Sequence, residues 1–307
     1  MHPAPSIILF TTLSGLGYGL AAMLGLGLLD PSATATKAAH VVALLLIAGG
    51  LSSSTLHLGN PQRAWRAFSQ WRSSWLSREG VMAVLTFIPL AVNAITSLWS
   101  GRYLPLPGIL GALLCGVTVY CTAMIYASLR SVQAWNTGWT PVFYLVFALA
   151  GGLTLVSLFS TLGGSEAVWL PLLAVAALVG AWIVKLRWWA RLGELGPLST
   201  PETATGLGPI GRVRLLERPH MNGNYLTNEM GFRVARKHAA KLRRIALIVG
   251  GALPALLLLL AATAGTSPAV ATVLSALAAL AFFAGTLAER WLFFAEARHA
   301  VMNYYGS

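Results

Sequence analysis

The sequence predicts an all-α, polytopic integral membrane protein of eight transmembrane helices, and three observations lead there. Of 307 residues, 56% are hydrophobic and 10% charged, with a mean hydropathy of +0.70; an ordinary soluble domain carries about 25% charged residues. Eight runs of 18 to 26 residues lack any Asp, Glu, Lys or Arg, and roughly 17–25 residues at 1.5 Å rise cross a bilayer core. Lys and Arg outnumber Asp and Glu by 21 to 9 and gather between those runs. Buried helices of a large soluble core would need many charged outer faces, which this sequence lacks.

The first run, Ser6–Leu29, follows a start that has no basic n-region and is too long for a signal h-region, so an uncleaved span is expected. Its GLGYG superficially matches a nucleotide-binding loop, but no strand precedes it. Gly15 and Gly19 form a GxxxG pair, read as a helix-packing face. Ala38–Leu58 is the second run; Gly59 and Pro61 end it, one by freeing the backbone and the other by lacking an N–H. Val81–Trp99, the third, is introduced by SSWLSRE, with Ser77 the expected N-cap and Glu79 a first-turn acid complementing the dipole. Leu104–Leu129, the fourth, holds Cys115 and Cys121; six residues turn a helix by about 600°, so the two do not share a face and cannot easily pair. Trp139–Leu162, Ala167–Val184, Ile245–Ser267 and Ala269–Ala288 complete the set. The sixth is short, and the last two meet very tightly at Ser267–Pro268.

With eight spans, both termini share a side with the loops after spans two, four and six. That side carries 19 of the 21 Lys and Arg; Lys37 and Arg102 fall opposite. The positive-inside bias predicts cytoplasmic termini in a bacterial inner membrane. The same topology accounts for a net charge of +12 without nucleic acid, for which no motif is present. Anionic lipid headgroups suit such a face, as does an acidic protein partner.

Residues 1–307 read as a single transmembrane domain, with 186–244 a cytoplasmic basic loop and interfacial helix between spans six and seven. RLGELGPLSTPETATGLGPIG reads as irregular chain. NEMGFRVARKHAAKLRRIALIVG reads as a basic helix entering span seven, with Phe232, Ala235, Ala239 and Leu242 at three- and four-residue spacing. It is either a snorkelling interfacial helix or a docking surface for a soluble subunit, and the two are compatible.

The connector HLGNPQRAWRAFSQWRSSWLSREG brings a histidine, a carboxylate and several arginines to one depth. Trp65, Trp71 and Trp75 suit the headgroup level, and Arg63 and Arg66 can share a helical face. A lone boundary histidine is more often structural than functional, and tryptophans and arginines are ordinary anchors. Their coincidence suits an amphipathic redox carrier such as a quinone. Such a carrier needs a lipid-accessible apolar groove, hydrogen bonds at its oxygens, and a proton donor or acceptor; unperturbed His titrates near pH ~6.5. His57 is then the acid–base residue, and Arg78 and Glu79 are further site candidates.

HLGNPQRAW followed by SSWLSRE resembles the signature of the dimethyl sulfoxide reductase anchor-subunit family, the membrane subunits of three-part molybdenum oxidoreductases. HPAPSIILFTTLSGLGYG, CTAMIYASLRSVQAWNTGWTP, MGFRVARKHAAKLRRIA and ERWLFF extend the resemblance over most of the chain. The opening and RVARKHAAKLRR are most similar to the branch serving cytoplasmic sulfite dehydrogenases. The resemblance implies eight spans, exchange of electrons with a quinone or quinol (menaquinone or ubiquinone), and no haem or iron–sulfur cluster in this chain. It also implies two soluble partners, an iron–sulfur electron-transfer subunit and a molybdopterin catalytic subunit. The family histidine implicated in quinol binding maps onto His57, the arginine after the motif proline onto Arg63, and the late polar pair, where the family pattern is looser, onto Glu289 and Arg290.

The histidines give an independent view of haem. A bis-His haem needs ligands on facing helices, whereas His40 and His57 lie at opposite ends of one span and His2, His220, His238 and His299 lie near termini or in loops. With no CxxC or HExxH, metal centres are expected in another chain. The rival from another class is a secondary transporter, which places ionisable or broken-helix sites near the bilayer midplane. Here the polar groups gather at one face, although Pro89 and Pro254 could break helices. Sulfite oxidation with quinone reduction is expected over sulfoxide reduction with quinol oxidation, the substrate being chosen in another chain.

Overall fold

Pro5, Pro105 and Pro268 each open a long apolar helix, where the missing N–H costs nothing because the first amides of a helix have no intrahelical partner. The computed structural model describes residues 2–56, 60–165, 167–196, 199–214, 216–217, 234–263 and 266–305. In chain order the long helices are α1 (Pro5–Gly25), α2 (Thr34–Thr55), α3 (Trp75–Ser100), α4 (Pro105–Ala127), α5 (Trp139–Leu162) and α6 (Trp169–Glu194). Then α7 runs over Val234–Leu247, through a π-helical turn at Ile248–Ala252, into Leu253–Ala261, and α8 spans Pro268–Ala295. Each contains a stretch long and apolar enough to cross a bilayer, and no strand occurs among the described residues. The chain is a multi-pass, all-α membrane protein.

Helix α1 is the axis of the bundle. It packs on α2, α4 and α5; α3 lies against α4, α6 against α5, and α7 and α8 close the remaining side. Within their spans α1 and α5 are 72% and 67% buried, so both can be apolar all round. Outer helices turn Leu45, Val84, Ile88, Leu113, Val179, Ile183, Leu256 and Leu280 outward, an apolar girdle that suits lipid.

Two glycine contacts set the closest crossings. A Cβ on Gly19 would sit 1.9 Å from the Ala148 carbonyl oxygen, where α1 meets α5. One on Gly285 would sit 2.1 Å from the Cα of Gly250, where α8 meets α7. The GxxxG reading therefore holds for Gly19 but not for Gly15, where a Cβ would meet nothing within 4 Å.

Four local readings change. Helix α3 starts at Trp75 with Ser74 as its N-cap, accepting from the Ser77 amide at 3.4 Å, so Ser77 lies inside the helix and Glu79 sits past the first turn. Helix α6 is a full 26 residues and carries Lys185, Arg187 and Arg191 within it. Helix α8 likewise runs on through Glu289 and Arg290. A charge-free run stops at the first ionisable residue, whereas a helix continues wherever that residue is paired or reaches the surface. The last turn between spans is also looser than expected: α7 ends at Ala261, and Ser267 caps α8 by accepting from Val270 N at 3.4 Å.

Proline breaks neither of its two helices. Pro89 lies inside a continuous α3. Pro254 follows the π-helical turn, and its missing N–H would leave the Gly250 carbonyl without an i−4 donor. Trp182 of α6 supplies one, its indole Nε1 donating to Gly250 O at 2.8 Å. Trp135 Nε1 donates to Phe293 O at 2.9 Å and Ala300 N to Ser131 O at 2.8 Å, tying the α4–α5 loop to the end of α8. Cys115 and Cys121 are both free and buried.

Candidate functional site

Glu79 is buried in the early part of α3, and a side-chain hydrogen bond crosses to α4, where Thr122 Oγ1 lies 2.5 Å from Glu79 Oε1. Thr122 Oγ1 is also 3.1 Å from the Thr118 carbonyl. One hydroxyl proton cannot serve both acceptors. When it goes to Thr118 O, the shared proton between Thr122 and Glu79 must come from the carboxyl. The pair is thus built to hold Glu79 in either protonation state.

The connector packs on the same helix. Residues Pro61–Gln70 form a 3-10 helix that packs on α3. A Cβ on Gly80 would come 3.3 Å from the Phe68 ring, so the absence of a side chain beside Glu79 is what lets Phe68 approach. Arg78 fixes the end of the connector: its Nε donates to Trp71 O at 3.0 Å, its Nη2 to Arg72 O at 2.7 Å, and its guanidinium lies 4.3 Å from the Trp75 ring centroid. Arg66 and Arg72 sit over Trp65 and Trp71 in the same manner, each at 5.6 Å. Trp75 meets Tyr120 edge-on at 5.9 Å. The connector is thus aromatic, cationic and largely exposed, on the helix that carries the carboxyl.

Inward from Thr122 is a cavity of about 10 Å³, the scale of one water molecule. Thr11, Ser14 and Gly15 of α1, Tyr144 of α5 and Arg290 of α8 complete its wall. The Tyr144 hydroxyl is buried with no hydrogen-bond partner among the described residues. Arg290 stacks on the Tyr144 ring at 4.0 Å.

Behind the cavity is a cluster of three charges. Glu289 pairs with Lys185 of α6 and, at 3.4 Å, with Arg290 Nη1. The side chains of Lys185 and Glu289 are 0% exposed and that of Arg290 is 3% exposed. Rings enclose the ammonium: Trp188 at 3.9 Å, Phe143 at 4.2 Å, Phe293 at 5.3 Å and Trp189 at 5.5 Å. Aromatic faces attract cations and need no polar partner of their own.

A second ion pair marks the outer end. Arg243 of α7 contacts Glu296 Oε1 through both Nη2 and Nε at 2.8 Å, and its side chain is 34% exposed. Burial holds the Glu296 carboxyl above the ordinary carboxylate range, while Arg243 pulls it back down.

The residues singled out from sequence therefore divide. Glu289 and Arg290 come together; Glu79 bonds Thr122, which shares the cavity wall with Arg290; Arg78 staples the connector; Arg63 is exposed on the 3-10 helix. His57 lies outside the described residues, as do Phe232 and Arg233 of the basic segment. Val234–Leu247 of that segment is helical and runs into the seventh span. Sequence reasoning missed Lys185, grouping it with the basic loop. Its signal was a single lysine at the edge of an apolar run, followed at once by paired tryptophans in KLRWW. Among the described residues no group of three or more His, Cys, Asp or Glu side chains is placed to hold a metal ion.

The eight-helix bundle with its buried charges is that of a multi-pass membrane protein, and residues 1–295 match the family described as DMSO reductase anchor subunit (DmsC). The chain belongs to that family. It is 34% identical to a subunit of the sulfite dehydrogenase of Allochromatium vinosum over 334 aligned positions, covering 100% of this chain and 99% of that one. It is 27% identical to a subunit of the anaerobic dimethyl sulfoxide reductase of Escherichia coli over 223 positions, covering 66% of this chain and 74% of that one. No solved structure matches the chain.

Proposed function

We propose that this chain is the membrane anchor and quinone-reactive subunit of a three-subunit molybdopterin oxidoreductase, exchanging electrons with an iron–sulfur partner. The observation that carries the reading is Glu79, a carboxyl buried near the start of α3 and bonded to the Thr122 hydroxyl, on the helix against which the aromatic, cationic connector packs. Those features fit a quinone, which when bound takes up or releases two electrons and two protons at its oxygens. Glu79 exchanges a proton with an oxygen of the ring, with Thr122 orienting the carboxyl. Phe68 packs beside Gly80, and Arg78 holds the connector in place. His57, in the motif that opens the connector, is the second acid–base group.

Likeness along the whole chain to a sulfite dehydrogenase subunit favours sulfite oxidation with quinone reduction. Cytoplasmic termini follow from the distribution of basic residues. Reporters fused after Arg102 and within residues 196–211 should then give opposite readouts. The transporter reading has no observation of its own.

Glu79→Gln tests the site. In an assembled complex, quinone-linked turnover should fall by about 10²–10⁴-fold, the usual contribution of a general acid–base group. Turnover with a soluble artificial acceptor should persist, because that route bypasses the membrane. An assembled variant with normal quinone-linked turnover would exclude Glu79.

A further inference from the structure

Lys185, Glu289 and Arg290 put two cations around one carboxylate, with all three side chains shielded. The rings that enclose them, on α5, α6 and α8, supply no counter-charge. The next ionisable groups are Glu79, beyond the cavity and Thr122 of α4, and Glu296, already paired with Arg243 of α7. Tyr18 of α1, Tyr126 of α4 and Tyr144 of α5 are the buried hydroxyls nearby. An unbalanced charge inside a bilayer is expensive. Arginine keeps its proton under all ordinary conditions, whereas a buried lysine gives it up readily. Arg290 and Glu289 are then the permanently balanced pair, and Lys185 is the member whose proton can come and go.

We propose that Lys185 is the proton-exchanging member of an internal relay, neutral while Glu79 holds its proton and charged when Glu79 becomes a carboxylate. The relay rests on the reading of Glu79 as the acid of the quinone site. Its balance is simple. In the direction of quinone reduction, two electrons come from the iron–sulfur partner and two protons must reach the ring oxygens. For the first, the O–H bond of Glu79 breaks, an O–H bond forms on the ring, and Glu79 is left as carboxylate. The Lys185 amine takes a proton from water at the Arg243–Glu296 end and becomes an ammonium. That proton passes by way of the cavity beside Thr122 to Glu79, restoring both groups. One proton has moved from water to the ring, and a repeat of the cycle supplies the second.

The test uses the whole purified complex and two substitutions that leave the Glu289–Arg290 pair intact. Lys185→Arg fixes the positive charge; Lys185→Gln removes it. The readout is the infrared carbonyl band of protonated Glu79, assigned by its loss in Glu79→Gln and followed against pH without turnover. A fixed cation should lower the midpoint of that band, and a neutral side chain should raise it, each by about one unit, a tenfold change in equilibrium. Both variants should lose about tenfold or more in quinone-linked turnover and keep turnover with a soluble acceptor. Midpoints that do not move, or that move in the same direction, overturn the relay whatever the turnover, because a merely structural lysine predicts that result. An assembled Glu79→Gln complex with normal quinone-linked turnover sinks the quinone-site reading, and the relay falls with it. Lys185 variants with normal turnover and unmoved midpoints sink the relay alone.

Discussion

Lys185 of α6 and Glu289 of α8 form an ion pair with both side chains fully shielded, and Arg290 makes the same carboxylate a shared counter-ion. The two ends of this pair are not equivalent. Glu289→Gln leaves the Arg290 cation without a counter-ion in the bundle, and removing one partner of a buried pair costs about 3–5 kcal/mol. Lys185→Met leaves Glu289 paired with Arg290 and should cost under about 1 kcal/mol, within the range of a volume-conserving core change. Thermal unfolding of the purified chain in detergent should rank Glu289→Gln far below Lys185→Met. Equal losses would show that the lysine is needed for the fold itself.

Trp182 and Pro254 should be coupled through the Gly250 carbonyl. Trp182→Phe keeps most of the apolar contact and strips the donor, leaving a buried acceptor unsatisfied at about 1–3 kcal/mol. Pro254→Ala returns a backbone N–H to α7. The double variant should recover most of the loss, a positive interaction in a double-mutant cycle. Additive losses would mean that the restored amide does not reach Gly250.

Gly15 and Gly19 should respond oppositely to the same substitution. Gly19→Ala drives a methyl to within 1.9 Å of the Ala148 carbonyl, so α1 and α5 must part. Overpacking of this kind costs about 1–3 kcal/mol or more. Gly15→Ala meets nothing within 4 Å and should be nearly silent in stability. Monodispersity on size exclusion and thermal unfolding together report both outcomes.

Glu296 sets a pH dependence whose sign follows from its raised carboxyl. The folded chain binds that proton more tightly than the unfolded chain does. Its contribution to stability is therefore fully present below the ordinary carboxylate range and is lost as pH rises through the raised value. Arg243→Met removes the opposing cation, so unfolding temperatures should drop more steeply between acidic and neutral pH. Glu296→Gln should flatten that slope in either background.

The eight helices were legible because a bilayer demands long apolar runs and charges interrupt them. The ends were less so, for one physical reason seen at three residues. Lys185, Glu289 and Arg290 look like span boundaries to any count of charge, yet each lies inside a helix because the others neutralise it. Pairing between residues a hundred positions apart leaves no local trace. Glu79 was legible as a candidate from the connector, but its partner Thr122 was not, since a threonine in an apolar span reads as filler. Arg78 was legible as a site candidate, but its grip on the carbonyls of Trp71 and Arg72 was not, since that depends on how the chain turns before α3.

The indole that reaches from Trp182 to Gly250 also orders the assembly of the bundle. Hydrocarbon offers no hydrogen bond to a stray carbonyl, so α7 taken alone would carry an unmet acceptor into the lipid beside Pro254. Helix α6 precedes it in the chain and emerges first during synthesis. The donor is therefore already in the membrane when the acceptor arrives, and the seventh span is completed by a neighbour made before it.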